Sequence, residues 1–105
     1  MSTSTRTVVS IRKALSPDLA FRMAADSFFD MLEALKSTEI VVDFDEVESI
    51  SRSFAHQYVL RKKRSIKKIS EINVPLHVKK MFEIVKQPKT ETVFAEIRKI
   101  ETILA

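Results

Sequence analysis

The stretch VVDFDEVESISRSFA, residues 41–55, decides how the chain is read. It opens as an apolar strand and closes as the first turn of a helix. Ile40, Val41, Val42 and Phe44 form a nearly continuous apolar run, the pattern of a parallel strand covered on at least one face. Ser51 and Ser53 are both of the type that caps a helix N-terminus. Phe54, Ala55, Tyr58 and Val59 follow at helical spacing, to about Arg64. The cations that end this helix suit the negative pole of its dipole.

Upstream, residues 8–15 (VVSIRKAL) are rich in β-branched side chains and partly alternate, which predicts a strand. Ser16 then reads as an N-cap, Pro17 as the first helical position and Asp18 as an acid at the positive pole. The helix they predict runs to about Lys36, with Phe21, Ala24, Phe28, Met31, Leu32 and Leu35 on its buried face. Downstream, residues 69–74 read as a short strand. Pro75 opens a third helix with Leu76, Val78, Met81, Phe82 and Val85 inside, and Pro88 ends it. Val93, Phe94, Ile97, Ile100 and Leu104 predict a fourth amphipathic helix from about residue 90. Residues 1–6 are polar and predicted to be a disordered tail, leaving residues 7–105 as one domain.

The resulting order, β-α-β-α-β-α-α, predicts an α/β fold: a small, mainly parallel sheet with helices packed on it. In such sheets ligands bind beyond the carboxyl ends of the strands. Asp43, Asp45, Ser51, Ser53 and Asn73 all fall at that edge. Three strands leave two exposed edges, which the fourth helix, an extra strand or a second subunit could cover, so a homodimer is one expectation.

Composition narrows the chemistry. The 105 residues suit one core, and the chain has no long apolar run, so no membrane span is expected. The start, MSTSTRT, lacks the apolar centre of a secretion signal, and cysteine is absent; both point to the cytoplasm. Glycine is absent too, which excludes the phosphate-cradling loops of Walker and dinucleotide-binding sites as usually written. The net charge of +4 permits nucleic acid or an acidic protein as partner and demands neither.

One resemblance gives the central stretch more meaning. Asp43-Phe44, then Val47, then Ile50-Ser51-Arg52-Ser53-Phe54-Ala55 resembles the core of the STAS-like domain family of unknown function. That family is related to sulfate-transporter and anti-sigma-factor-antagonist domains. Arg22 early in the first helix and Ile72-Asn73 at the end of the third strand echo it, so the resemblance spans roughly residues 8–87. It implies a non-enzymatic signalling or regulatory domain that binds another protein, such as a kinase or a transcription regulator, and needs no cofactor. It also implies that the first strand lies between the other two. In the anti-sigma-factor antagonists a serine opening the second helix is phosphorylated by a partner kinase. The pattern puts Ser53 at that position, with Ser51 as the second candidate. Here Ser51 stands where those proteins carry aspartate, Phe54 where they carry glycine, and Arg52 splits the serine pair. The partner-binding residues implied are Asp43, Asp45, Arg52 and Asn73. A phosphate at Ser53 would meet the helix dipole and Arg52, while Asp43, Asp45, Glu46 and Glu48 would repel it. The competing reading makes both serines caps and nothing more.

The run RKKRSIKK, residues 61–68, holds six cations in eight residues: Arg61, Lys62, Lys63, Arg64, Lys67 and Lys68. It supports the alternative function, binding of a nucleic-acid phosphate backbone, although no aromatic residue interleaves it. The plain reading is a solvated helix end. His56 and His77 fall on different helices with no second ligand at metal spacing, so no metal site is expected. Ser53 and His56 share a helix face, but no orienting third group or oxyanion hole accompanies them, so no enzyme is expected. Asp43 and Asp45 share a strand face, as Mg²⁺ ligands do, though a capping role for Asp43 is the commoner one.

Overall fold

The computed structural model describes residues 5–86. The fourth predicted helix and residues 1–4 lie outside them. Strands β1 (Arg6–Ser10), β3 (Glu39–Asp43) and β5 (Lys68–Ile72) form a parallel sheet in the order β1-β3-β5. Helices α2 (Arg22–Ala34) and α3 (Arg52–Arg64) are the crossovers, and α4 (Leu76–Val85) follows β5. A second, two-stranded parallel ribbon joins β2 (Asp18–Leu19) to β4 (Ser49–Ile50), and a short helix α1 (Ile11–Ala14) follows β1. The mainly parallel α/β architecture is as the sequence predicts.

The strand order implied by the resemblance is not what forms. The second long strand, β3, is central, not the first. Composition explains this. A central strand loses water on both sides, and β3 buries Ile40, Val41 and Val42. β1 carries Arg6 and an exposed Val8, and β5 alternates Lys68 and Ser70 with its apolar residues, which suits both to edges.

Two local expectations also change. Residues 8–15 do not form one strand, because Ser10 caps α1: its hydroxyl accepts the Lys13 N–H at 3.2 Å, and the turn brings Ile11 into the core. Arg6, assigned to the tail, begins β1 and lies 4.0 Å from Glu39. Ser16 and Pro17 do not open a helix. The Ser16 hydroxyl takes the Asp18 N–H at 3.1 Å in a tight turn, and the Pro17 carbonyl accepts N–H groups from Glu48 and Ser49. Asp18 accepts the Ser49 hydroxyl at 2.8 Å, and Leu19 is buried. Pairing with β4 therefore outcompetes the local capping signal, and α2 starts six residues after Ser16, at Arg22. Its buried face is Ala25, Phe28, Phe29 and Leu32, while Phe21 and Met31 are exposed.

Helices α2, α3 and α4 pack side by side, and their apolar residues join Val9, Ile40, Val42, Phe44 and Ile69 in one cluster. Because side chains alternate along a strand, the other sheet face carries Arg6, Val8, Glu39, Val41, Asp43, Lys68, Ser70 and Ile72. Without glycine, left-handed backbone falls on Glu46 (φ 63°) and Asn73 (φ 52°). Asn73 turns the chain from β5 toward α4, and its amide donates to Asp43 Oδ1 at 3.1 Å.

Tyr58 on α3 sits at the middle of the core. Its ring centroid lies 5.0 Å from that of Phe29, 5.7 Å from Phe44 and 5.2 Å from Phe82. Its hydroxyl donates to Glu71 Oε2 at 2.9 Å, and Lys62 Nζ holds the other oxygen of that carboxylate at 2.8 Å. Burial, with the Glu71 charge beside it, pushes the Tyr58 pKa well above the ordinary 10.0. The native state thus favours the neutral phenol. That preference is fully present below pH about 10, the unfolded value, and is lost as pH climbs toward the folded one. Tyr58→Phe should fold but lose about 1–2 kcal/mol at neutral pH, the worth of a hydrogen bond to a charged group. In urea melts from pH 8 to 11.5, the gap between wild type and variant should narrow above pH 10; a constant gap would refute the assignment.

Candidate functional site at the starts of the two crossover helices

The two predicted serines have different surroundings. Ser51 is the N-cap of α3: its hydroxyl accepts the Phe54 N–H at 3.0 Å and donates to the Ala20 carbonyl at 2.6 Å, and its own N–H bonds Leu19. It therefore ties the start of α3 to the chain entering α2. Ser53, two positions on, is exposed and lies in the first turn of α3. Together with Arg22, Arg52, His56 and Val85 it lines an open cleft of about 280 Å³.

The cleft follows from the fold. Parallel crossovers start both helices at the carboxyl edge of the sheet, and Ser51 draws the two starts together. Arg22 is the first residue of α2, whose N-cap, Phe21, supplies no side-chain acceptor. The positive poles of two helices and the side chains of Arg22, Arg52 and His56 thus share one neighbourhood, which favours anions. Phe21 and Met23, on either side of Arg22, are 75% and 79% exposed.

The remaining predicted site residues lie elsewhere. Asp43 Oδ1 accepts the Asp45 N–H at 2.9 Å and the Asn73 amide, so Asp43, Asp45 and Asn73 form a turn-stabilising cluster at the ends of β3 and β5. Glu46 pairs with Arg12 at 2.9 Å. None of Asp43, Asp45, Glu46 and Glu48 lines the Ser53 cleft, so the repulsion expected from them is not built in at short range. Among the described residues no three His, Asp or Glu side chains converge as a metal-ligating group.

The basic run divides. Arg61 bonds Asp26 Oδ1 at 3.0 Å and Asp30 Oδ1 at 2.9 Å, and lies over the Phe29 ring. Gln57 also donates to Asp26, at 2.7 Å, and this bond with the Arg61 contact lowers the Asp26 pKa below its ordinary value. Lys62 is held by Glu71, and Lys67 donates to the Leu35 and Ser37 carbonyls. Lys63, Arg64 and Lys68 remain exposed. Half of the apparent patch is internal structure. Sequence reading missed the partners because Asp26, Asp30 and the two carbonyls lie some 30 residues upstream, and charge counting along the chain does not register them.

Replacing each serine by alanine should separate cap from surface. Ser51→Ala removes a cap and should cost about 1 kcal/mol or slightly more, while Ser53→Ala should stay within about 0.5 kcal/mol of wild type. Equal losses in denaturant melts would contradict the division of labour. Comparison with protein-family models, with curated proteins and with solved structures returned no match.

Proposed function

We propose that this chain is a non-enzymatic regulatory module, similar to STAS-like domains, that binds another protein through the starts of α2 and α3. Ser53 is its point of modification. The observation that supports this is the exposed Ser53 hydroxyl in a cleft bordered by Arg22, Arg52 and His56. Ser51, the competing candidate, is already engaged on both sides of its hydroxyl.

The physical logic is a change of sign at one surface. Unmodified, the cleft is cationic and flanked by the exposed apolar side chains of Phe21 and Met23. A carboxylate-bearing partner surface with an apolar neighbour fits it. A phosphate on Ser53 adds about −1.5 to −2 charge and three acceptor oxygens at the positive pole of α3. It would occupy the donors that the partner uses, so modification stabilises the module and releases the partner. The nucleic-acid alternative is weaker because Arg61, Lys62 and Lys67 already have internal partners.

Phosphoserine incorporated at position 53 should raise the melting temperature of the full chain, and Arg22→Ala should remove much of that rise. In cells, Ser53→Ala and Ser53→Asp should capture different partner sets. Identical sets, with no thermal effect of the phosphate, would end the regulatory reading.

A further inference from the structure

The outer edge of β5 takes no part in lining the Ser53 cleft. In the parallel ladder, the Lys68 N–H bonds the Thr38 carbonyl and the Ile72 carbonyl accepts the Phe44 N–H. Lys68, Ser70 and Ile72 therefore turn their backbone groups toward β3. By alternation, Ile69 and Glu71 turn theirs outward. β5 has no neighbour on that side among the described residues. Edges of this kind are templates for another strand.

This edge is not flat. Helix α4 and the end of β5 enclose a groove of about 450 Å³ lined by Glu71, Val74, Lys79, Phe82, Glu83 and Lys86 among others. Val74 and Phe82 give it an apolar floor. Glu71 is already neutralised by Lys62 and hydrogen-bonded to Tyr58. Lys79 and Lys86 form no ion pair among the described residues, and Lys86 lies over the Phe82 ring at 5.9 Å. Against these two cations stands one carboxylate, Glu83, so the rim is net positive.

We infer that this groove binds an extended, acidic-hydrophobic peptide segment of another protein, which joins the sheet as a fourth strand beside β5. The N–H and C=O groups of Ile69 and Glu71, which have no strand partner among the described residues, require an extended backbone. The floor takes apolar, preferably β-branched, side chains at alternate positions. Lys79 and Lys86 are seven residues apart on α4, about 10 Å along the helix axis, which an extended chain covers in about three residues. Acidic residues two to four positions apart in the ligand match them.

The test is selection of binders to the full-length chain from a random twelve-residue peptide display library, followed by synthesis of the enriched sequences. The expected binders combine β-branched and acidic residues and slow exchange of the Ile69 and Glu71 amides. They should lose about tenfold or more in affinity to a Lys79→Glu/Lys86→Glu double variant. N-methylation of a peptide at alternate backbone positions should abolish binding. Both lysines are exposed, so the variant should fold, and its unchanged melting temperature checks this. The inference is overturned if no sequence enriches, or if binders are indifferent to the double variant. It is equally overturned if the Ile69 and Glu71 amides are already protected in the free protein, because residues 87–105 or a second copy would then hold the edge. None of these outcomes depends on Ser53.

Discussion

The structure turns on the way Tyr58 is held. Its ring touches phenylalanines from α2, from the end of β3 and from α4, and Phe54 one turn back on its own helix stacks against it. Such a residue fixes the distance of α3 from the sheet, but a ring alone leaves the helix free to slide. The hydroxyl removes that freedom. A buried phenol without an acceptor costs about 1–3 kcal/mol, so it must find Glu71. Glu71 in turn needs a cation, and Lys62, one turn along α3 from Tyr58, supplies it. This three-member link pins α3 to β5 in register. Because α3 is pinned, its first turn is pinned as well, and Ser53 is presented at a defined place on the sheet edge.

A second polar link sets the angle between the crossovers. Asp26 and Asp30 on α2 receive Gln57 and Arg61 from α3, in a seam along the solvent side of the helix pair. Charge-assisted bonds of this kind add less stability than the aromatic core, but they are directional. The seam keeps the two helix starts side by side at one end, where the Ser51 hydroxyl on the Ala20 carbonyl closes the arrangement. The cationic cleft is thus a consequence of two unrelated constraints acting on the same helix.

What was legible beforehand follows from the range of the forces involved. The central strand and α3 were visible because an unbroken apolar run and a helical apolar stripe are local signals of a buried environment. The exposed Ser53 was visible as a candidate, though its sequence could not say which of two serines would cap. Ser16-Pro17-Asp18 misled because its local capping chemistry is sound; it lost to a strand pairing with residues 31 positions away, which no local pattern reports. The strand order was misjudged from the resemblance. The contrast between the buried triplet Ile40-Val41-Val42 and the charged, alternating strands on either side already pointed to β3 as the centre.

The sheet also explains where contact with other molecules is favoured. Parallel sheets are ordinarily covered on both faces, yet among the described residues the helices lie on one. Among the described residues the other face is polar in one row, Arg6, Glu39 and Lys68, and mostly apolar in the next, Val8, Val41 and Ser70. Val41 is 1% exposed between its neighbours, so a further layer would recover little apolar area there. The edges differ from the face, since among the described residues their outward backbone groups have no strand partner. Of the two, β1 turns the backbone of Arg6, Val8 and Ser10 outward, which offers an added strand ladder bonds. β5 has α4 and the Phe82 floor alongside, so an added strand there would gain ladder bonds and apolar burial together. The groove that the last described helix forms with the end of β5 makes this an edge at which selectivity is physically attainable.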